Sequence, residues 1–115
     1  MPGDDPRDTP RLSALTAVET ELGRQDGKWG EQNHPDGTGD ALFKDLAELA
    51  KISCDQAAIS GSVTYRHILL EEVWEALAES DKEKLKTELV QVAAVAVAWV
   101  EKLIREETNN RKETE

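Results

Sequence analysis

A chain of 115 residues and 12.7 kDa has room for one domain with a modest core. Few aromatics, 33% charged residues and an apolar content drawn mostly from Ala, Leu and Val suit helices better than sheets. A net charge of −10 argues against nucleic acid or an anionic membrane as the partner, and a lone cysteine, Cys54, excludes an intrachain disulfide and points to a reducing cytoplasm.

In chain order, MPGDDPRDTP is acidic and Pro-rich with no hydrophobic run, so it does not read as a signal peptide. Residues 1–8 are expected as a disordered arm, residues 9–107 as a single all-α domain, and residues 108–115 as a polar tail. Thr9 is the expected N-cap of a first helix, with Pro10 at its first position. Leu12, Leu15, Val18 and Leu22 keep helical spacing to about Gln25, and Asp26-Gly27 is expected to close the helix. The stretch from Lys28 to Asp40, KWGEQNHPDGTGD, then reads as a loop, with a turn at Pro35-Asp36-Gly37. Two readings of this loop stand. It faces a substrate, with Trp29 as a stacking surface, Lys28 as a phosphate contact and His34 as a hydrogen bonder; or Trp29 plugs the helical core and His34 caps a turn.

Asp40 is the expected N-cap of a second helix, with Leu42, Leu46, Leu49 and Ile52 on its inner side, ending at about Ile59 before Ser60-Gly61-Ser62. Cys54 within it reads as a buried structural thiol. Thr64 caps a third helix that carries Arg66 and His67 in its first turn; each is a phosphate contact, with His67 also a possible general base, or a plain surface residue. Ser80-x-x-Glu83 reads as a capping box, so the third helix ends near Glu79 and a fourth runs from about Asp81 to about Glu107. From Leu89 to Val100 this last helix is apolar on nearly all sides, although its longest apolar run, Val92–Val100, is far short of the ~20 residues that span a bilayer. A helix apolar all round is hard to cover in so small a monomer, which predicts at least a dimer with this helix central to the interface. Homodimer and homotetramer both fit.

The chemistry concentrates in the last two helices. On the third, Glu72, Glu75 and Glu79 share one face, opposite Leu69, Leu70, Val73, Trp74 and Leu77. On the fourth, Glu88 falls in the middle of the stripe Leu85, Val92, Val95, Trp99 and Leu103. Ionised and unpaired there, it would cost several kcal/mol, so it requires a Lys or Arg, a shared proton or a metal. An ExxE pair on an arbitrary helix is most often a solvated face. Here the short connecting turn packs the two helices antiparallel and brings Glu72 and Glu75 towards Glu88 and the carbonyl-bearing Gln91. Hard oxygen ligands converging from two helices suit Mg²⁺, or Mn²⁺.

The pattern Glu72-x-x-Glu75, twelve residues, Glu88-x-x-Gln91 resembles the ExxE…ExxD signature of the MazG-like all-α nucleoside triphosphate pyrophosphohydrolases. A KWGEQNHPDG-like segment also precedes the acidic helices in phage and actinobacterial relatives of that group. The resemblance covers residues 66–104. It implies a four-helix, antiparallel, bundle-like protomer that oligomerises, and a Mg²⁺-dependent cleavage of (d)NTP to (d)NMP and pyrophosphate. It further implies that Glu72, Glu75 and Glu88 are the catalytic metal ligands, with Gln91 at the fourth position, where the family has Asp. An amide oxygen still ligates Mg²⁺ but brings no charge, so weaker metal binding is expected. On that reading Glu71 or Glu79 would help to deprotonate the attacking water, and Lys28, Lys51 or Arg66 would contact the leaving pyrophosphate. Two other readings remain: an oligomer of the same fold that binds nucleotide or metal without turnover, and a helical interaction protein whose carboxylates pair with Lys and Arg across an interface.

Overall fold

The computed structural model describes residues 7–114, so residues 1–6 of the expected arm lie outside the described part. Among the described residues all regular structure is helical: α1 (Asp8–Trp29), α2 (Ala41–Ile59), α3 (Tyr65–Ala78) and α4 (Lys82–Thr114). The chain divides into two compact units. One takes the residues up to His34 together with those from Val97 onward; the other is Pro35–Ala96. Helix α4 contributes to both. No helix among the described residues is long and apolar enough to cross a membrane.

Helix α1 begins earlier and ends later than the sequence signals suggest: it starts at Asp8 with Arg7 as N-cap, so Thr9 is not the cap. The first helical bond runs from the Arg11 N–H to the Arg7 carbonyl at 3.0 Å. Pro10 therefore falls where no N–H is called on, and its missing donor costs the helix nothing. At the other end α1 passes through Gly23 and Gly27, each worth about 1 kcal/mol of helix propensity against Ala, and stops at Gly30. Gly30 takes φ 66° and donates its N–H to the Asp26 carbonyl, which is the left-handed stop that Asp26-Gly27 was expected to give. Lys28 and Trp29 thus belong to the last turn of a helix and not to a loop.

In this first unit, Ala14 is fully buried, while Leu12, Leu15, Val18 and Leu22 are all exposed. The tie between α1 and the C-terminal part of α4 is ionic. Glu101 is 3% exposed and accepts from Arg11 Nε at 2.6 Å. Arg105, one turn further on, approaches the other Glu101 oxygen at 4.0 Å. Helix α4 runs to Thr114, beyond the expected end at Glu107, and residues 108–114 are not an irregular tail. That segment lacks Gly and Pro, the Thr108 hydroxyl donates to the Ile104 carbonyl at 3.1 Å, and Arg111 and Lys112 sit where the negative end of the helix dipole favours them.

In the second unit α2 starts at Asp40 as expected, with its Oδ1 accepting from the Leu42 N–H at 2.8 Å. It stops in a Schellman arrangement: Gly61, at φ 73°, donates to the Ala58 carbonyl and Ser62 to the Ala57 carbonyl. The inward side is not the expected Leu42, Leu49 and Ile52, all of which are exposed. It is Phe43, Leu46, Ala47, Ala50, Cys54 and Ala57, which are half-buried or buried. Small residues on that side let α2 lie close against α3, and Phe43 and Trp74 meet with ring centroids 5.9 Å apart. Cys54 is buried, as expected. The α4 start is capped by Asp81, whose Oδ1 accepts from the Lys84 N–H at 3.0 Å, in place of the expected Ser80.

Replacing Arg11 by Met takes the close partner from the buried Glu101 carboxylate, leaving Arg105 at 4.0 Å, and should lower stability by about 1–3 kcal/mol in chemical denaturation. The double variant Arg11→Met/Glu101→Leu should recover most of that loss. A single Arg11→Met variant as stable as the parent would remove the ion pair from the account of this unit.

Candidate metal centre

The acidic helix is held in register at both ends. At its start Thr64 Oγ1 accepts from the His67 N–H at 3.3 Å, and His67 Nδ1 accepts in return from the Thr64 N–H at 3.0 Å. The His67 ring is therefore part of a capping box. At its end the Glu79 N–H bonds the Ala76 carbonyl, and the Glu79 carboxylate accepts from the Asp81 N–H at 3.1 Å. The chain doubles back there within three residues, Glu79–Asp81, before α4 begins at Lys82. Glu72 lies six residues before the end of α3 and Glu88 six residues after the start of α4, so the two come level.

The result is a cluster. One carboxylate oxygen from each of Glu72, Glu75 and Glu88 lies within 4.8 Å of the others, the one such group found among the described residues. Glu72 Oε2 and Glu88 Oε2 are fully buried and have no hydrogen-bond partner. Among the described residues none of the three makes an ion pair with Lys or Arg. Loss of solvent pushes the Glu72 carboxyl above the usual carboxylate range, and the charges of Glu71 and Glu88 push it further. Glu75 moves the same way for the same first reason, followed by the charges of Glu72, Glu71 and Glu88 and a hydrogen bond with Glu71. Glu71 also engages the Cys54 thiol, whose pKa is raised first by that bond and then by burial.

Beside the carboxylates lies an open cavity of about 420 Å³, lined by Lys44, Ala47, Glu75, Ala78, Glu79, Ser80 and Glu88. The α2 side of it is positioned by Gly39. Its N–H donates to the Leu77 carbonyl at 2.9 Å, and at φ 92° a Cβ there would stand 3.1 Å from Ser80 Cβ. Only glycine fits that approach between the loop and the α3–α4 turn without something giving way.

The expected site residues separate into three groups. Glu72, Glu75 and Glu88 are brought together. Gln91 is exposed, one turn beyond Glu88 on α4, and Arg66 is exposed in the first turn of α3. Lys28, Trp29 and His34 belong to the other compact unit. There Trp29 is 62% exposed, with Lys28 Nζ 4.8 Å from its ring centroid, so Trp29 does not plug that unit's core. His34 Nε2 pairs with Gln32 Oε1 at 3.1 Å. Lys51 donates to Asp55 Oδ2 at 3.0 Å. Lys44 escaped the sequence reading. Its signal was the α2 periodicity, since Lys44, Ala47 and Lys51 follow helical spacing on the side that meets the acidic helix.

No family model matches this chain, and neither a curated protein nor a solved structure does. The case for a metal therefore rests on the donors themselves. Three carboxylates supply oxygen atoms only, two of them buried and unpartnered, which is the donor chemistry of Mg²⁺ or Mn²⁺ and not of a thiolate-seeking ion.

The raised carboxyl values give a sign that can be measured. Between the ordinary carboxylate range and the raised folded values the native state holds protons that the unfolded chain has lost, so Glu72 and Glu75 cost stability increasingly as pH rises. A divalent ion held by these carboxylates would replace those protons. Added Mg²⁺ or Mn²⁺ should thus raise Tm more at about pH 8 than at about pH 5. Glu72→Gln/Glu75→Gln should melt higher than the parent without metal at the higher pH and should not respond to the ion. An equal Tm increment at both pH values would contradict this coupling.

Proposed function

We propose that the protein is a Mg²⁺-dependent nucleoside triphosphate pyrophosphohydrolase that cleaves (d)NTP between the α- and β-phosphates to (d)NMP and pyrophosphate. The observation that carries the reading is the pair of buried, unpartnered oxygens on Glu72 and Glu88, within a three-carboxylate group drawn from two helices. The likeness of Glu72-x-x-Glu75…Glu88-x-x-Gln91 to the MazG-like signature supports the same chemistry. Glu72, Glu75 and Glu88 hold the ion, which when bound screens the triphosphate and makes water more acidic. Glu71 adds its charge beside Glu75. Glu79 borders the cavity and has one oxygen engaged by the Asp81 N–H. Its Oε2 is the base proposed to take the proton of the attacking water, in preference to Glu71, which faces Cys54 and Glu75. Gln91 is the outer, uncharged position of the set. With a net charge of −10 the protein as a whole repels a nucleotide, which such an ion would offset at the site.

Gln91 also favours a second reading, a helical oligomer that binds nucleotide or metal without turnover. Incubation with a panel of NTPs and dNTPs plus Mg²⁺ or Mn²⁺ separates the two by pyrophosphate release. The hydrolase reading expects release that Glu88→Ala abolishes and Gln91→Asp raises. Release from no nucleotide sinks it.

The protomer is proposed to be one copy of a bundle-like homo-oligomer, dimer or tetramer. Exposed Leu89 and Val90 on α4, 50% and 64%, are the residues that support this. Sedimentation should give at least a dimer for the parent chain and a smaller species for Leu89→Glu/Val90→Glu. A monomeric parent at micromolar concentration would contradict the assembly.

A further inference from the structure

We propose that Lys44 and Ser80 form the phosphate-binding side of the cavity next to the carboxylates, so that the site takes a divalent ion together with a di- or triphosphate group. This rests on the reading of Glu72, Glu75 and Glu88 as ion ligands and assigns the residues that face the ligand's phosphates. The cavity, about 420 Å³, is within the range of small-molecule pockets and well beyond the needs of a bare ion. Lys44 is the one cation among its lining residues. Among the described residues it makes no ion pair, whereas Lys51, a turn pair further along α2, is engaged by Asp55. An ammonium left uncommitted beside three carboxylates, Glu75, Glu79 and Glu88, is poised for an anion that arrives with its own cation. Ser80 brings a hydroxyl, a donor that a phosphate oxygen accepts from.

The position of Lys44 is built in and not incidental. Asp40 caps α2, Gly39 is bonded to the Leu77 carbonyl at 2.9 Å, and the missing Gly39 side chain lets that segment close against Ser80. Lys44 follows one turn after the cap, so the Gly39–Ser80 approach brings the start of α2 that carries Lys44 to the α3–α4 turn that carries Ser80. Charge then dictates an order. Without a bound cation the three acids outweigh Lys44 and repel phosphate; with one, the balance reverses. Phosphate binding at this site is therefore metal-dependent, while metal binding does not depend on Lys44.

Calorimetric titration of the full chain with Mn²⁺ alone, and with the Mn²⁺–pyrophosphate complex, tests this without turnover. The parent should bind Mn²⁺, and should bind pyrophosphate only when Mn²⁺ is present. Lys44→Ala should weaken pyrophosphate binding roughly tenfold or more, as loss of a charged hydrogen bond does, and leave Mn²⁺ binding unchanged or tighter. Lys44→Arg should restore part of the loss, and Lys102→Ala, which removes an ammonium that pairs with Glu106 further along α4, should match the parent. Lys44→Ala with parental affinity for pyrophosphate and for Mn²⁺ overturns the role of Lys44 and leaves the metal reading intact. A parent chain that binds no Mn²⁺ overturns both.

Discussion

The structure turns on the crowding of carboxylates where α3 meets the start of α4. Burial, and then the charges of their acidic neighbours, raise the proton affinity of Glu72 and Glu75, and one oxygen each of Glu72 and Glu88 is cut off from water and from any donor, an arrangement that the fold does not favour by itself. Each unsatisfied buried oxygen forfeits about 1–3 kcal/mol relative to a solvated one. An ion pair would be the ordinary remedy. The molecule uses that remedy elsewhere, at Glu101 with Arg11, and does not use it here. The two sets of buried acids are thus treated differently, and a divalent ion held by Glu72, Glu75 and Glu88, as proposed, would account for the difference.

The acidic hairpin itself is set by local contacts, and α2 is added to it by contacts from further along the chain. The Thr64–His67 capping box sets the first turn of α3, the Glu79 and Asp81 contacts set the reversal, and the small face of α2 lets the Phe43–Trp74 contact pin the supporting helix. None of these residues is an acid of the cluster. They fix the backbone so that side chains six residues either side of the turn meet, which is a register effect of the same kind that sets pairing in any helical hairpin. The ionic tie in the other unit is independent of this and concerns stability.

Much of the second unit was legible in the sequence because its signals are short-range. Asp40, Thr64 and Ser60-Gly61-Ser62 each act within a few residues, and each does what its chemistry predicts. The acids were legible for the same reason: i,i+3 spacing and a short turn leave little choice about which side chains converge. The failures are long-range or competitive. Glu101 finds Arg11 ninety residues away, and no local pattern announces that. Leu42, Leu49 and Ile52 outrank Ala47, Ala50 and Ala57 on hydrophobicity, yet close helix approach favours the small residues, and the large ones stay exposed. Thr9-Pro10 and Asp26-Gly27 are good boundary signals that α1 overrides. Pro is harmless in a first turn, and two mid-helix glycines are affordable when Gly30 supplies the stop. Lys44 was missed because a lone lysine on a helix carries no information until the facing surface is known.

The most direct test is crystallographic: anomalous scattering from crystals of the protein grown with Mn²⁺. A peak coordinated by oxygens of Glu72, Glu75 and Glu88 at roughly 2.0–2.3 Å is the result this account predicts. Full-occupancy density for the three carboxylates with no peak between them, or with a lysine or arginine of a neighbouring copy seated there, would contradict it.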